Sequence, residues 1–337
     1  MSVIGTAFTL QDLARRLDPK GKVDKIVELL KQTNPILDDM MFVEGNDGSS
    51  YKTTVRTGLP TGTWRKLNYG VQPEKSTTAQ VSDACGMLET YSEVDKALAD
   101  MSGDKGAFLL SEAQAFLEGM NQSMASALFY GDSTANKEQI MGFGPRYNAY
   151  GTDKKKTSYN VIHGGGSGDD NTSIWLVVWG YNTVHGIYPK GSKAGLSQKD
   201  LGEATKTLPD GSMLQVYRSH YKWDMGLTVR DWRYVVRVAN IDVSALDDAG
   251  ESSFAGNNLI NSMVKAIHKI PNLRMGRPAF YCNRTVSTAL DLLANNKSTL
   301  ALKVSEVDGQ PLVSFRGIPV REVDAILDAE TLVSSAA

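Results

Sequence analysis

Helical and strand-like patterns of apolar residues follow one another along the chain in no regular order. The clearest helical pattern covers residues 105–130, where apolar side chains recur every three or four positions and no proline interrupts them. A helix of this length spans roughly 35 to 40 Å. Gly131 follows it as a predicted C-cap. The apolar stripe consists of Leu109, Ala113, Phe116, Met120, Met124 and Ala127.

A two-faced strand pattern precedes this helix. Along residues 51–57, Tyr, Thr and Val side chains alternate with Lys, Thr and Arg side chains in the two-residue period of a strand. Residues 58–62 have the composition of a turn. We expect residues 63–67 to return as the second strand of a hairpin. Residues 76–94 also have an extended character. A lone hairpin is marginal in water, so this one packs on its own domain or on a neighbouring subunit. The pattern alone favours the first.

The remaining segments mix both element types. Residues 10–17 and 23–30 are predicted helices with one narrow apolar stripe each, and such helices fold only by packing on something else. We predict further strands at 174–180, 213–223, 227–240, 300–304 and 312–315, and helices at 258–270 and after Asn283. Strands and helices in mixed runs indicate an α+β fold.

Composition and charge narrow the class of protein. The chain has 337 residues, and its 36 basic against 38 acidic residues give a net charge of −2, unlike a free-standing basic nucleic-acid binder. Its two cysteines, Cys85 and Cys282, exclude a disulfide scaffold and a structural zinc module. We expect reduced thiols, no signal peptide, no membrane span and a soluble protein.

Enzyme motifs are weak. His163, His185, His220 and His268 fit no metal-ligand pattern, and we expect no metal and no cofactor. The glycine-rich loop after His163, with Ser133 as nucleophile, defines a serine hydrolase alternative. That alternative needs a GxSxG elbow, which the sequence lacks. We therefore expect that the chain is not an enzyme.

Basic and aromatic residues alternate along the predicted strands at 213–240. This pattern suits nonspecific nucleic-acid binding by charge and stacking. It also suits a sheet with cross-strand pairs and a subunit interface, and we favour these two interpretations over nucleic-acid binding. The residues are Arg218, Lys222, Arg230, Arg233 and Arg237 with Tyr217, Tyr221, Trp223, Trp232 and Tyr234.

Several long blocks resemble the major capsid proteins of tailed bacteriophages, in particular a podophage-type family. They are residues 171–191, which include GYNTVHGIYPKG, residues 221–234 (YKWDMGLTVRDWRY) and residues 275–285 (MGRPAFYCNRT). The ending FRGIPV at 315–320 is a short, weaker match. The resemblance covers most of the chain, from the hairpin region to about Leu327.

This resemblance implies the HK97-like capsid fold. Its parts would be an N-terminal arm, an extended hairpin called the E-loop, a peripheral domain with a long spine helix and long strands, and an axial domain. We expect the arm at 1–39, the E-loop at 40–80, the peripheral domain at 81–141 and 211–270, and the axial domain mainly at 142–210 and 271–337.

The resemblance also implies a structural function. The chain would assemble as hexamers and pentamers into an icosahedral shell around double-stranded DNA, in the virion, after synthesis in the bacterial host cytoplasm. Expected partners are other copies of the chain, a separate scaffolding protein, a portal, a possible decoration protein and, nonspecifically, the packaged DNA. The expected contacts between subunits are Arg56, Trp64, Arg65 and Lys66 in the hairpin.

Overall fold

A computed structural model describes residues 32–247, 253–295, 302–307 and 310–336. The two predicted helices at 10–17 and 23–30 lie outside these residues. The described helices are α1 (Ile36–Asp39), α2 (Lys96–Met101), α3 (Lys105–Tyr130), α4 (Phe143–Arg146), α5 (Ser244–Asp247), α6 (Ser253–Lys269) and α7 (Arg284–Asn295).

The long helix α3 has the bounds that the periodicity predicts. The Asp104 carboxylate caps its start by accepting the Ala107 N–H at 3.0 Å. Gly131 ends it without a left-handed turn, and a Cβ there would lie 2.5 Å from the Ala127 carbonyl oxygen. The helix after Asn283 is also confirmed, since the Asn283 side chain accepts the Val286 N–H at 3.0 Å.

Strands make up the rest of the framework. They are β1 (Phe42–Glu44), β2 (Ser50–Gly58), β3 (Thr77–Ala84), β4 (Gly86–Asp95), β5 (Ala149–Tyr150), β6 (Val161–His163), β7 (Asn171–Trp179), β8 (Val184–Tyr188), β9 (Leu196–Thr207), β10 (Met213–Val229), β11 (Val235–Asp242), β12 (Arg277–Cys282), β13 (Leu302–Val307), β14 (Gln310–Phe315), β15 (Ile318–Glu322) and β16 (Ser334–Ser335).

Twelve of the described strands form one branched sheet. Its main path runs β13-β14-β15-β12-β7-β8-β10-β4, with β1 beside β8, β11 between β7 and β6, and β9 on β10. The first part of β10 lies between β4 and β9, and its last residues pair with β8. Strand β10 therefore joins a three-stranded outer region to the central region of the sheet.

Strand β7 lies at the centre, and all nine of its residues are buried. One core, formed with α3, α4 and the C-terminal segment (residues 323–336), contacts Trp175, Val177 and Trp179. The alternate residues face a second core formed with α6 and α7. Helices cover both faces of this strand, so its residues 174–179 form a continuous apolar run instead of an alternating one.

The predicted return strand of the hairpin is wrong. Strand β2 pairs with β3, residues 77–84, while residues 59–76 form a loop without strand structure. Pro60 and Pro73 lack the N–H that a ladder needs, and Gly62 and Asn68 have positive φ. The Thr- and Val-containing segment 77–84 is the better strand.

The predicted break between two long strands is also misplaced. Strand β10 continues through 224–226 to Val229, and the chain turns at 230–234. Gly226 permits this continuity, since a Cβ there would lie 2.7 Å from the Ala84 carbonyl oxygen. The Asp231 carboxylate accepts the Arg233 N–H at 3.1 Å and starts the turn. Residues 230–234 therefore do not present the two strand faces that alternation suggested.

A buried ion pair holds the C-terminal segment to the sheet. The Arg237 guanidinium donates to Glu330 Oε2 at 2.8 Å, and both side chains are almost fully buried. Tyr130 donates to the other Glu330 oxygen at 2.6 Å, and Ser173 also donates to this carboxylate. Burial, and after it the Glu330 charge, raises the pKa of Tyr130. Removing one charge would leave the other buried and unpaired.

We expect Leu128→Ala in α3 to lower the free energy of unfolding by about 2–5 kcal/mol, because Leu128 is fully buried and the change leaves a cavity. Leu110→Ala is the matched control, since Leu110 is 61% exposed on the same helix and its loss should cost about 0.5 kcal/mol or less. Urea unfolding of the unassembled subunit measures both. Equal losses would contradict this packing of α3.

We expect Glu330→Gln to lower the free energy of unfolding by about 3–5 kcal/mol, because it leaves the Arg237 charge buried without a counter-ion. Asp231→Asn breaks the more exposed pair with Arg233 and should cost about 0–1 kcal/mol. Urea unfolding measures both variants. A smaller loss of unfolding free energy for Glu330→Gln than for Asp231→Asn would contradict a buried ion pair between Arg237 and Glu330.

Candidate assembly surface

The hairpin of β2 and β3, with the loop 59–76 at its tip, is anchored at its base. Tyr51, Thr53 and Asp83 are buried there. The Asp83 carboxylate pairs with Arg146 at 2.7 Å, and Arg146 also donates to the Leu227 carbonyl oxygen at 3.2 Å. An ion pair that is mostly buried and further hydrogen-bonded ties the base to the central sheet.

Aromatic rings complete the base. The Tyr51 ring meets the His185 ring edge-on at 5.1 Å, and Tyr181 stacks on His185 at 5.9 Å. The Arg230 guanidinium lies 4.8 Å from the centroid of the Tyr181 ring. These contacts fix the direction in which the hairpin leaves the subunit.

His185 is fully buried in this cluster. Its Nδ1 lies 3.1 Å from the Gly186 carbonyl oxygen, which only accepts, so Nδ1 carries the proton. Its Nε2 has no hydrogen-bond partner among the described residues. Burial lowers the pKa of His185, the Arg230 charge lowers it further, and the Gly186 hydrogen bond and Asp83 oppose the shift. The structure therefore favours neutral His185.

Beyond its base, the hairpin is exposed. In the loop 59–76, Leu59 is 73% exposed, Trp64 fully exposed and Leu67 85% exposed. The Glu74 carboxylate accepts the Thr61 N–H at 2.7 Å and so links the two limbs of the loop. Large apolar side chains left in water on one projecting loop are typical of a protein interaction site.

All four residues predicted as contacts lie on this exposed part. Arg56 is on β2, and Trp64, Arg65 and Lys66 are in the loop. The three basic residues form no ion pair within the described part of the chain. Leu59, Leu67 and Tyr69 are also exposed on this loop and were not among the predicted contacts, although large apolar residues among glycine and proline were a usable signal.

The basic and aromatic strands do not form a free cationic surface. Arg218 pairs with Glu93 at 2.6 Å and Lys222 with Glu89 at 3.3 Å. Arg233 pairs with Asp231, Arg237 is buried with Glu330, and Arg230 lies over Tyr181. The aromatic rings of β10 point partly into the core, where Tyr221 stacks on Phe116. This geometry gives the nucleic-acid-binding alternative no support.

The glycine-rich loop also lacks the geometry of an oxyanion hole. The Gly164 N–H donates to the Ala239 carbonyl oxygen at 2.7 Å, and the Gly166 N–H donates to the backbone carbonyl oxygen of Asn240 at 2.8 Å. Both amides are therefore occupied. The His163 ring stacks on Tyr150 and its Nδ1 lies 3.0 Å from Asn240 Nδ2. Ser133 lies in a turn after α3. The hydrolase alternative gains no support.

Within the described ranges, no cluster of three or more His, Cys, Asp or Glu side chains could hold a metal ion. Cys85 and Cys282 are free thiols, and burial raises the pKa of Cys85 to about 11. None of the described helices has both the length and the apolar character needed to cross a membrane.

A projecting hairpin, a long helix beside long strands, and a branched central sheet agree with the HK97-like capsid fold that the resemblance implies. A chain in the near-atomic-resolution structure of bacteriophage epsilon15 is 37% identical, with a TM-score of 0.79 and full coverage of both chains. The bacteriophage JBD30 capsid matches at 10% identity and a TM-score of 0.50, over 88% of this chain and 92% of the other, which shows the fold alone. The predicted fold is confirmed.

The family model described as "Major capsid protein GP7" matches residues 18–334. The chain therefore belongs to the GP7 family of major capsid proteins, and it is a structural coat protein. A comparison with curated proteins finds no match.

We expect the stability of the subunit to fall as the pH drops below the ordinary His pKa of 6.5, because folding lowers the pKa of His185. The unfolded chain then binds a proton that the folded chain excludes, so the free energy of unfolding decreases toward the folded-state pKa. His185→Gln should flatten this dependence below the ordinary His pKa of 6.5, as followed by urea unfolding. His268→Gln, at an exposed position, is the control. An unchanged slope in His185→Gln would disprove the assignment.

Proposed function

We propose that this coat protein assembles as hexamers and pentamers into an icosahedral phage head that encloses double-stranded DNA. The observation that carries the proposal is the hairpin, which is anchored at its base and exposed along the rest of its length. Its exposed apolar loop suits a neighbouring subunit as its partner, with Trp64 as the main anchor and Arg56, Arg65 and Lys66 around it. The E-loop of the implied fold corresponds to this hairpin.

Shell stability would come from repetition. Each hairpin offers one small contact, but a closed shell repeats that contact once for every subunit. Contacts in one assembly reinforce each other, because each subunit is held by several neighbours at once. The role is assembly and not catalysis, and it requires no cofactor.

We infer the division of the subunit from its strand pairing. The N-terminal arm would cover 1–39, and we extend the hairpin from 80 to Ala84, where β3 ends. Strand β9 pairs with β10 and supports placing 196–207 in the peripheral domain with 85–141. Strand β11 pairs with β7 and supports placing 235–270 with the axial segments 142–195 and 271–337.

Other partners follow from this role. A separate scaffolding protein would direct curvature, a portal would occupy one vertex, and a decoration protein would bind the outer surface. Contact with packaged DNA would be nonspecific and weak for each subunit, since the basic strand residues already have carboxylate or aromatic partners. Assembly would take place in the bacterial host cytoplasm and yield virion capsids.

Trp64→Ser combined with Leu67→Ser should weaken or abolish shells and leave the subunit folded, because both side chains lie in water in the single subunit. Replacing residues 59–75 with a short Gly-Ser turn should have the same effect. Sedimentation of a cleared lysate in a sucrose gradient, followed by negative-stain imaging, measures shell yield.

The matched control is Lys154→Ser combined with Lys155→Ser, which changes two exposed residues of another loop. Urea unfolding should give every variant the same free energy of unfolding as the native chain. Normal shells from the loop-shortened variant would overturn the role assigned to the hairpin.

A further inference from the structure

The two limbs of the loop 59–76 are joined by one side chain. Past the end of the β2–β3 ladder, the hydrogen bonds that cross between the limbs all end on the Glu74 carboxylate within the described part of the chain. Its Oε2 accepts the Thr61 N–H at 2.7 Å and the Gly62 N–H at 3.3 Å. The Thr61 hydroxyl lies 3.4 Å from Oε1. One carboxylate therefore links the limbs where strand pairing has stopped.

The local sequence explains why a side chain makes this link. On the first limb Pro60 precedes Thr61, and on the second limb Pro73 precedes Glu74. Neither proline has an N–H with which to continue the ladder. Gly62 has a φ of +68°, a left-handed conformation that favours glycine. The N–H groups of Thr61 and Gly62 reach the same oxygen, and consecutive N–H groups that converge in this way form a concave site for an anion.

The link encloses the exposed apolar part of the loop. Residues 62–73 lie beyond it and include Trp64, which is fully exposed, and Leu67, which is 85% exposed. An open loop of this length samples many conformations, so a contact with a neighbour would have to order it at a cost in free energy. A loop that is already closed in the free subunit reduces that cost.

We propose that Glu74 is a positioning residue for assembly, whose carboxylate closes the loop 59–76 in the free subunit and so presents Trp64 and Leu67 in one arrangement. This inference rests on the proposed contact between the loop and a neighbouring subunit. Glu74 acts through the backbone of the opposite limb and need not itself contact the neighbour. Hydrogen bonds to an ionised carboxylate are stronger than those to a neutral acceptor, so the charge contributes to closure.

Four variants separate the geometry of the link from its charge. Glu74→Ala removes the acceptor, whereas Glu74→Gln keeps an acceptor oxygen and loses the charge. Gly62→Ala keeps the carboxylate but opposes the positive φ, and the added Cβ meets nothing within 4 Å, so it causes no clash. Glu138→Ala is the matched control, because it removes an exposed carboxylate from another loop.

Hydrogen exchange in the unassembled subunit measures closure of the loop directly. With millisecond labelling read at single residues by mass spectrometry, the Thr61 and Gly62 amides should exchange about tenfold faster in Glu74→Ala than in the native chain. Glu74→Gln and Gly62→Ala should give intermediate rates, and Glu138→Ala the native rate. Urea unfolding should give all four variants the free energy of unfolding of the native chain, because the loop lies outside the apolar cores.

Shell assembly measures whether closure is used. The subunit concentration at which half of the chain sediments as shells in a sucrose gradient should rise about tenfold for Glu74→Ala, because an open loop must be ordered at every contact. Glu74→Gln and Gly62→Ala should lie between this value and the native one, and Glu138→Ala should match the native chain. A residue that only stabilised the subunit would change urea unfolding instead of this concentration.

Two results would overturn the positioning role. Unchanged exchange at Thr61 and Gly62 in Glu74→Ala would show that the carboxylate does not close the loop. Faster exchange with an unchanged assembly concentration would show that assembly does not use the closed loop. The proposed function fails in a different way, because Trp64→Ser combined with Leu67→Ser would then form normal shells. Where only the positioning role fails, that double variant still loses its shells.

Discussion

The structure depends on the burial of β7 on both of its faces. Trp175 and Trp179 project to the side of α3 and α4, and the alternate residues project toward α6 and α7. The ring centroids of Trp175 and Phe143 are 5.6 Å apart, and the Arg237 guanidinium lies 5.0 Å from the centroid of the Trp175 ring. A strand without a solvent face must be covered from two directions, so it brings together helices that are distant in the sequence.

A rigid centre and an unpartnered periphery follow from this constraint. The central sheet uses its charged residues internally, as in the buried pair of Arg237 with Glu330. The hairpin leaves from a base held by Asp83 and Arg146 and carries its large apolar side chains into water. The subunit contact proposed for the hairpin would need both properties: an anchored base and a tip that gains from being covered.

Local patterns predicted a large part of the fold. Helix α3 was predictable because 26 residues keep one period and polar residues cap the start. The hairpin return and the end of β10 were not predictable. Strand β3 pairs with β2 across an 18-residue loop whose length the periodicity does not encode, and Gly226 serves a close approach of two strands instead of a turn. Trp64 and its neighbours stay predicted contacts, and no local pattern indicated the aromatic base around His185.

By itself, the sequence determined the α+β class, the bounds of α3 and, through its long specific blocks, the capsid family. These properties depend on residues close together in the chain or on whole segments. Only the tertiary structure decided which charges are neutralised and which apolar residues stay in water. Arg237 and Glu330 are 93 positions apart, and Asp83 and Arg146 are 63 apart. Such pairs exist only when packing brings distant strands together, because no local period records a partner so far along the chain.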